Sequence, residues 1–398
     1  MENDLVMKAV TASGNNPSVY CKFLSANDSG ETGSHQSGIL ISTSAKEMLF
    51  SENDLLGKIN PKKTVTIKWQ DDFETSCAIT WYNNFKRDGK NELRITGFGR
   101  GFPFRNPEYT GALLVLIKDN EEEYQGFVFN TDDGIRGFLD SFGLTPTDTN
   151  KPIQTTKIAP VIREEQDFFD EFISGLTTDF PTTSEMSRAA RKIQRDMHRK
   201  HCAESSCPDN MLLSWIECEY RLFRAIEHAR YGETITNGFH SVDDFITTAN
   251  QVLNRRKSRA GKSLEHHLSA IFDENSIQYA AQATTEGKKR PDFLFPSEEA
   301  YHDKTFSIEK ICTLAAKTTC KDRWRQILNE ANRLRDKNKY ICTTQQGISR
   351  AQMDEMQQEK VILVVPQEHI KHYPKDRQDR IWTVGKFVRY VKEMQCLP

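Results

Sequence analysis

Long apolar runs are absent from this chain of 398 residues. No stretch approaches the roughly 18 to 20 apolar residues that span a bilayer, and no N-terminal segment reads as a secretory signal. A cytoplasmic protein without a membrane partner is expected. Net charge is lacking as well: 54 Lys and Arg stand against 56 Asp and Glu, a formal −2. Whole-chain charge therefore points to no polyanionic partner, and any basic surface must be local. The nine cysteines are odd in number and lack a framework, as reduced thiols do. His198, His201, Cys202 and Cys207 invite a zinc reading, but their spacing fits no common structural site. His369 and His372 have no partner pattern and receive no role. Apolar content is low at 37%, yet ample for packed cores at this length, and two domains or three small ones are expected.

What is present centres on residues 291–330. Pro291-Asp292 leads an apolar strand through Phe295, and a second strand runs from Ile311 to Ala316 and ends in Lys317. A carboxylate heading one strand and a lysine closing the next suit a metal-dependent phosphodiesterase. The Asp would hold a hard cation through oxygen, and the Lys would sit by the scissile phosphate and counter developing charge. A second acid two positions before the Lys would be usual, but that position is Ala315. Glu330 is the candidate replacement. Trp324, Ile327, Leu328, Ala331 and Leu334 recur at helical spacing, which predicts a helix over 322–336 with Arg323 and Glu330 on one face. Lys321-Asp322-Arg323 matches the edges of a G·C pair: Lys or Arg donates to guanine, and Asp accepts from cytosine. The bland alternative is a capped, solvated turn.

These segments resemble the C-terminal half of restriction endonucleases of the EcoRII type (type IIE). The resemblance is carried by residues 254–265, by 291–297 and by 317–330. Leu24-Ser25-Ala26-Asn27-Asp28-Ser29-Gly30, with Gly33 and His35-Gln36, is similar to the effector domain of the same family, as is Arg94-Ile95-Thr96 with Gly99-Arg100-Gly101. The similarity runs in order through most of the chain and fades between about 140 and 210.

The resemblance implies a multidomain α and β architecture. Residues 1–145 would form an effector DNA-binding β-pseudobarrel like that of a plant transcription factor. Residues 146–183 would be a linker region. Residues 184–398 would carry catalysis and dimerisation on an α/β restriction-endonuclease-like core, PD-(D/E)xK in type, with helical additions. The implied activity is magnesium-dependent double-strand cleavage at a CC-W-GG-like site by a homodimer, held off by the N-terminal domain until a second copy of the site binds. Asp292 and Glu330 would hold magnesium, Lys317 would position the nucleophile, and Glu265 would assist. Lys321, Asp322 and Arg323 would read bases. Trp215 and Tyr220 would stack an extruded base, although Glu217 stands where the family has an Arg. The effector contacts would be Lys22, Ser25, Asn27, Asp28, Thr32, His35, Glu92, Arg94 and Arg100, with Leu93 and Gly97 replacing basic residues of the family.

The residues by themselves support the same division. Up to about 150, short alternating runs such as 64–69 and 77–81 are broken by Asn, Asp, Gly and Lys clusters, as hairpins in a small barrel should be. From 145 to 183 the composition shifts to Pro, Thr, Asp and Lys, interrupted by one short apolar turn at Phe168–Ile173, and suits a partly packed linker or tether. Beyond it, helices are expected over 184–200, 209–229 and 263–272, then strand and helix alternate to the C-terminus. Arg255, Arg256, Lys257, Arg259 and Lys262 form a dense basic run. Such runs are usually solvated, but beside a nuclease centre phosphate contact is expected. Lys288-Lys289-Arg290 is a further backbone candidate. Two other classes fit parts of the pattern. An inactive relative acting as a DNA-binding regulator is opposed by the complete Asp–Lys–Glu set. A repair or junction nuclease with the same core is opposed by the N-terminal reading module.

Overall fold

A computed structural model describes residues 2–16, 18–33, 38–56, 58–83, 91–153, 163–201 and 207–396, with backbone alone for 163–164 and 198–201. The first half opens with helix α1 (Glu2–Asn15), followed by strands β1 (Val19–Phe23), β2 (Ile39–Ile41), β3 (Lys62–Trp69), β4 (Phe73–Tyr82), β5 (Glu92–Thr96), β6 (Leu113–Lys118) and β7 (Glu123–Phe129). Helix α2 (Asp132–Ser141) and strand β8 (Lys151–Ile153) complete it. The strands form one sheet in the order β2-β5-β4-β3-β7-β6-β1-β8. Neighbours are antiparallel except β3 and β7, which run parallel.

Alternation decides which face each residue takes. In β3, Val65, Ile67 and Trp69 point into the curl while Thr64, Thr66 and Lys68 point away. β6 has no such alternation because both its faces are covered. Leu114 and Leu116 line the curled core, and Leu113, Val115 and Ile117 pack on the other side against α1 and α2. Edge strand β2 meets β1 and the loop after it through side chains. Lys22 Nζ donates to Leu40 O at 2.6 Å, Leu40 N donates to Asp28 Oδ1 at 2.9 Å, and Ser42 N donates to Tyr20 Oη at 3.0 Å. This is the pseudobarrel that the alternating runs suggest.

The second half comprises α3 (Arg163–Ser174), α4 (Thr183–His201), α5 (Pro208–Asn237), α6 (Val242–Glu274), β9 (Ala280–Ala281), β10 (Phe293–Phe295), β11 (Cys312–Ala316), β12 (Lys339–Cys342), α7 (Arg350–Gln358), β13 (Val361–Val364) and α8 (Val384–Met394). The sheet order is β13-β12-β11-β10-β9. β11, β12 and β13 are parallel, and β10 is antiparallel to β9 and β11. The central strands are largely apolar because both faces are buried, and even Thr313 and Lys339 within them are covered. Leu212, Phe272, Phe387 and Val391 cover one face, and Trp324, Ile327, Met353 and Met356 the other.

Two expectations are corrected here. Residues 146–183 are more extensively packed than a linker with one short apolar turn. β8 belongs to the first sheet, and α3 buries Phe169 among Met186, Leu222 and Phe223. Glu165 accepts from Arg221 Nε at 2.8 Å and pins α3 to α5. Residues 154–162 lie outside the described chain. The helix expected over 322–336 is instead two 3-10 segments, Arg323–Asn329 and Asn332–Leu334, separated by an extended φ of −145° at Ala331. Its apolar spacing was real, since Trp324, Ile327 and Leu334 are all buried.

Candidate active site and DNA-reading segment

The antiparallel pairing of β10 with β11 sets Phe293 opposite Leu314. Asp292, just ahead of β10, therefore reaches the end of β11, where Lys317 follows. Asp292 Oδ2 accepts from Ala316 N at 2.8 Å and from Lys317 Nζ at 2.6 Å. Oδ1 accepts from Gln282 Nε2 at 3.0 Å. The carboxylate is thus fixed by three donors, two at the end of β11 and one just past β9. Glu330 comes in from the 3-10 segment, its backbone carbonyl held by the Thr285 hydroxyl. Burial pushes the Glu330 carboxyl up to about 7; Lys317 pulls it back and the Asp292 charge pushes further. Glu265, on α6, accepts from Lys262 Nζ at 2.8 Å and from Gln282 Nε2 at 3.3 Å.

No three His, Cys, Asp or Glu side chains are gathered to hold a metal ion among the described residues. The set present nevertheless fits magnesium. That ion keeps several waters and needs only one or two carboxylates, all through oxygen. Asp292 and Glu330 supply two acids, and the Glu330 carboxyl is raised chiefly by burial, with a smaller push from the Asp292 charge that a cation would relieve. Of the zinc candidates, Cys207 is described, whereas Cys202 and the His198 and His201 side chains lie outside the described structure.

The Lys321-Asp322-Arg323 segment begins four residues past Lys317, and the first half of the chain covers it. Lys321 is 3% exposed. Its Nζ donates to the carbonyls of Glu108 and Thr110, each at 2.9 Å. The Asp132 carboxylate, fully buried at the start of α2, accepts the backbone N–H of Lys321 at 3.1 Å and of Asp322 and Arg323 at 2.8 Å each. Burial would raise the Asp132 carboxyl, but hydrogen bonds from Asp322 and from these amides hold it below its ordinary value. Burial draws the Lys321 ammonium down to about 8. The Asp322 carboxyl is pushed up to about 7 by burial and by the hydrogen bond and charge of Asp132.

Other contacts extend this junction. Arg350 donates through N and Nη1 to Glu31, at 2.6 and 2.7 Å. Gln345 and Gln346 donate to the carbonyls of Gly111 and Pro146. At Gly111, φ +79°, a Cβ would meet the carbonyl oxygen of Gly347 at 2.2 Å, so this crossing requires glycine.

Several expected DNA contacts are committed elsewhere. Lys22 and Asp28 form a buried ion pair at 2.7 Å in the barrel seam. Ser25 donates to that same Asp28 carboxylate, and Thr32 Oγ1 donates to Asn27. Thr32 and Arg100 are exposed, and His35 lies outside the described residues. Glu92 and Arg94 stand on the outer face of β5, paired at 2.9 Å, while Leu93 between them fills the barrel core. Leu93 is therefore apolar for packing.

The basic run on α6 is largely structural. Arg255 lies 4.5 Å from the Phe180 ring centroid. Arg256 pairs with Glu227 at 2.7 Å and donates to the Ser141 carbonyl. Arg259, 1% exposed, donates to Gly143 O at 2.9 Å. Lys257 is exposed. Trp215 is buried in the core beneath Arg191 and Arg195 and has no open face. Tyr220 is half-buried, lies under Arg259, and packs against the core shared by β1, β6, α1 and α2. Gln282 and Asp132 carry no sequence signal: one is a lone amide after a short strand, the other an ordinary acid in a first helical turn.

Among known proteins, residues 13–133 match the family described as Restriction endonuclease EcoRII, N-terminal. Residues 223–388 match EcoRII C terminal. The Type II restriction enzyme EcoRII of Escherichia coli is 38% identical over 394 residues, covering 93% of each chain. Of solved structures, the PspGI–substrate DNA complex has a TM-score of 0.43 at 16% identity, over 54% of this chain and 93% of that one. Metal-depleted Ecl18kI with uncleaved DNA has a TM-score of 0.43 at 18% identity, over 58% and 83%.

Proposed function

Because the chain belongs to the EcoRII family of type II restriction enzymes, and is thus a site-specific DNA nuclease, we propose that it is a magnesium-dependent homodimer whose N-terminal half holds it inactive until a second copy of its site binds. The site of the form CC-W-GG suits the Lys321-Asp322-Arg323 triplet at its outer G·C pairs. Bound at Asp292 and Glu330, magnesium would supply Lewis-acid polarisation of the phosphate and ready ionisation of an attacking water. Asp292 anchors the catalytic arrangement through its three donors. Lys317, held on that carboxylate, presents a cation to the phosphate and steadies the charge that grows during in-line attack. Glu330 takes up or retains a proton close to neutrality. Lys257 is the proposed backbone contact of the basic run. Tyr220, at the boundary between the halves, is the ring proposed to meet an extruded base once they part.

One observation carries the inhibition. Every polar group of Lys321 that could face DNA is occupied by the other half of the chain, its ammonium by two carbonyls and its backbone N–H by Asp132. A triplet in that condition cannot read a base pair. A coupling of about 1 to 3 kcal/mol between effector binding and opening is expected. Asp132→Ala removes the acceptor of three amides without touching the catalytic groups. It should raise cleavage of single-site DNA by the full chain in the absence of added oligonucleotide. Single-site cleavage that stays low in Asp132→Ala, while a site-bearing duplex still stimulates it, would remove the Asp132 contact as the lock.

A further inference from the structure

Gln282 follows β9 immediately and is exposed, yet it is tied to the catalytic strand twice. Its backbone N–H donates to the carbonyl of Asp292 at 3.1 Å. Its amide nitrogen donates to Asp292 Oδ1 at 3.0 Å and to Glu265 Oε2 at 3.3 Å. The residue also sits at φ +53°, a left-handed conformation that Asn, Asp and Gly adopt far more readily than a longer side chain. A strained backbone under an exposed glutamine whose amide meets two carboxylates is a specialised position.

We propose that Gln282 is a positioning residue for the cation site, one amide setting the spacing of Asp292 and Glu265 before a divalent ion arrives. An –NH2 group has two hydrogens to donate, one for each acid. As a neutral donor it draws the two anions together without neutralising them, so both keep their charge for the ion. Without it, Asp292 keeps Lys317 and Ala316 N, while Glu265 keeps only Lys262 from its own helix. The two acids would then have to be brought together at the moment of binding, which costs affinity. The inference rests on the reading of Asp292 as a metal ligand and gives Glu265 its place beside it.

The test is Mn2+ binding to the full chain without DNA, read from the loss of the free-ion electron paramagnetic resonance signal, in Gln282→Ala, Gln282→Asn and Asp292→Ala. Asn suits a left-handed backbone better than Gln but its amide falls one methylene short. Gln282→Asn should therefore melt at or above the temperature of the unsubstituted protein, yet both Gln282 variants should need roughly ten-fold more Mn2+ or above for half-saturation. A merely structural role would move the melting temperature and leave the ion titration alone. Loss of ion in Asp292→Ala with unchanged titrations for both Gln282 variants would overturn the positioning role alone. Unchanged binding in Asp292→Ala would overturn the metal-site reading and this inference together.

Discussion

At the scale of single residues, Asp292 and Lys317 are the pair on which activity turns. Asp292→Ala removes an acceptor from Ala316 N, Lys317 Nζ and Gln282 Nε2 at once. Lys317→Ala removes the cation beside the proposed phosphate position and leaves Asp292 its other two donors. Both should reduce cleavage by orders of magnitude in magnesium, and specific binding to a site-bearing duplex in calcium should remain measurable by electrophoretic shift. Full activity of Asp292→Ala would end its assignment. This pair was legible in the sequence because a carboxylate before one strand and a lysine after its neighbour are fixed by strand register. Trp215, Arg259, Lys22 and Asp28 were not. Sequence shows residue type, and an arginine facing phosphate is the same letter as one donating to a carbonyl in a buried seam. Gln282 was missed for the converse reason, since its importance lies wholly in which two acids it touches.

At the scale of elements, apolar patterning revealed most strands and long helices, and the misses have physical causes. β5 is hard to see in sequence because Glu92, Arg94 and Thr96 point outward, and only Leu93 and Ile95 betray the strand. Composition also shortens α3: Glu, Asp and Gln surround Phe168, Phe169 and Phe172, so a packed helix of twelve residues reads as one apolar turn. Its aromatics fill the groove between α4 and α5, and truncating even one buried Phe typically costs about 3 to 5 kcal/mol. A fragment beginning at Arg163 should therefore fold and cleave single-site DNA without stimulation. One beginning at Thr183 should melt at a markedly lower temperature by circular dichroism. Equal melting temperatures would show that α3 contributes nothing to the second half.

At the scale of the whole molecule, the junction between the halves contains titratable groups whose shifts give closure a pH dependence of defined sign. Asp322 has a closed-state value of about 7, raised by burial and by Asp132, against about 3.9 for a free Asp. The closed form therefore holds a proton that the open form releases, and closure weakens as pH rises through 7. Lys321 has the opposite displacement, down to about 8 in the closed form against about 10.4 when free. Above pH 8 the closed form gives up a proton that the open form keeps, so closure strengthens again. His372, near Lys22 and Asp28 of the barrel, is lowered by burial to about 4, so its protonation favours opening only below its free value of about 6.5. Glu31 and Glu108 also face this junction, and both pull Lys321 back toward its charged form. Between about 6.5 and 8, Asp322 is the group that decides. The ratio of unstimulated to oligonucleotide-stimulated cleavage of single-site DNA should rise across that window and turn over near pH 8. Because the same catalytic centre acts in both arms, its own pH dependence cancels in the ratio. A ratio that is flat from pH 6.5 to 8.5, or that falls first, would mean that the Asp132–Asp322–Lys321 contact does not set the balance between the closed and open forms.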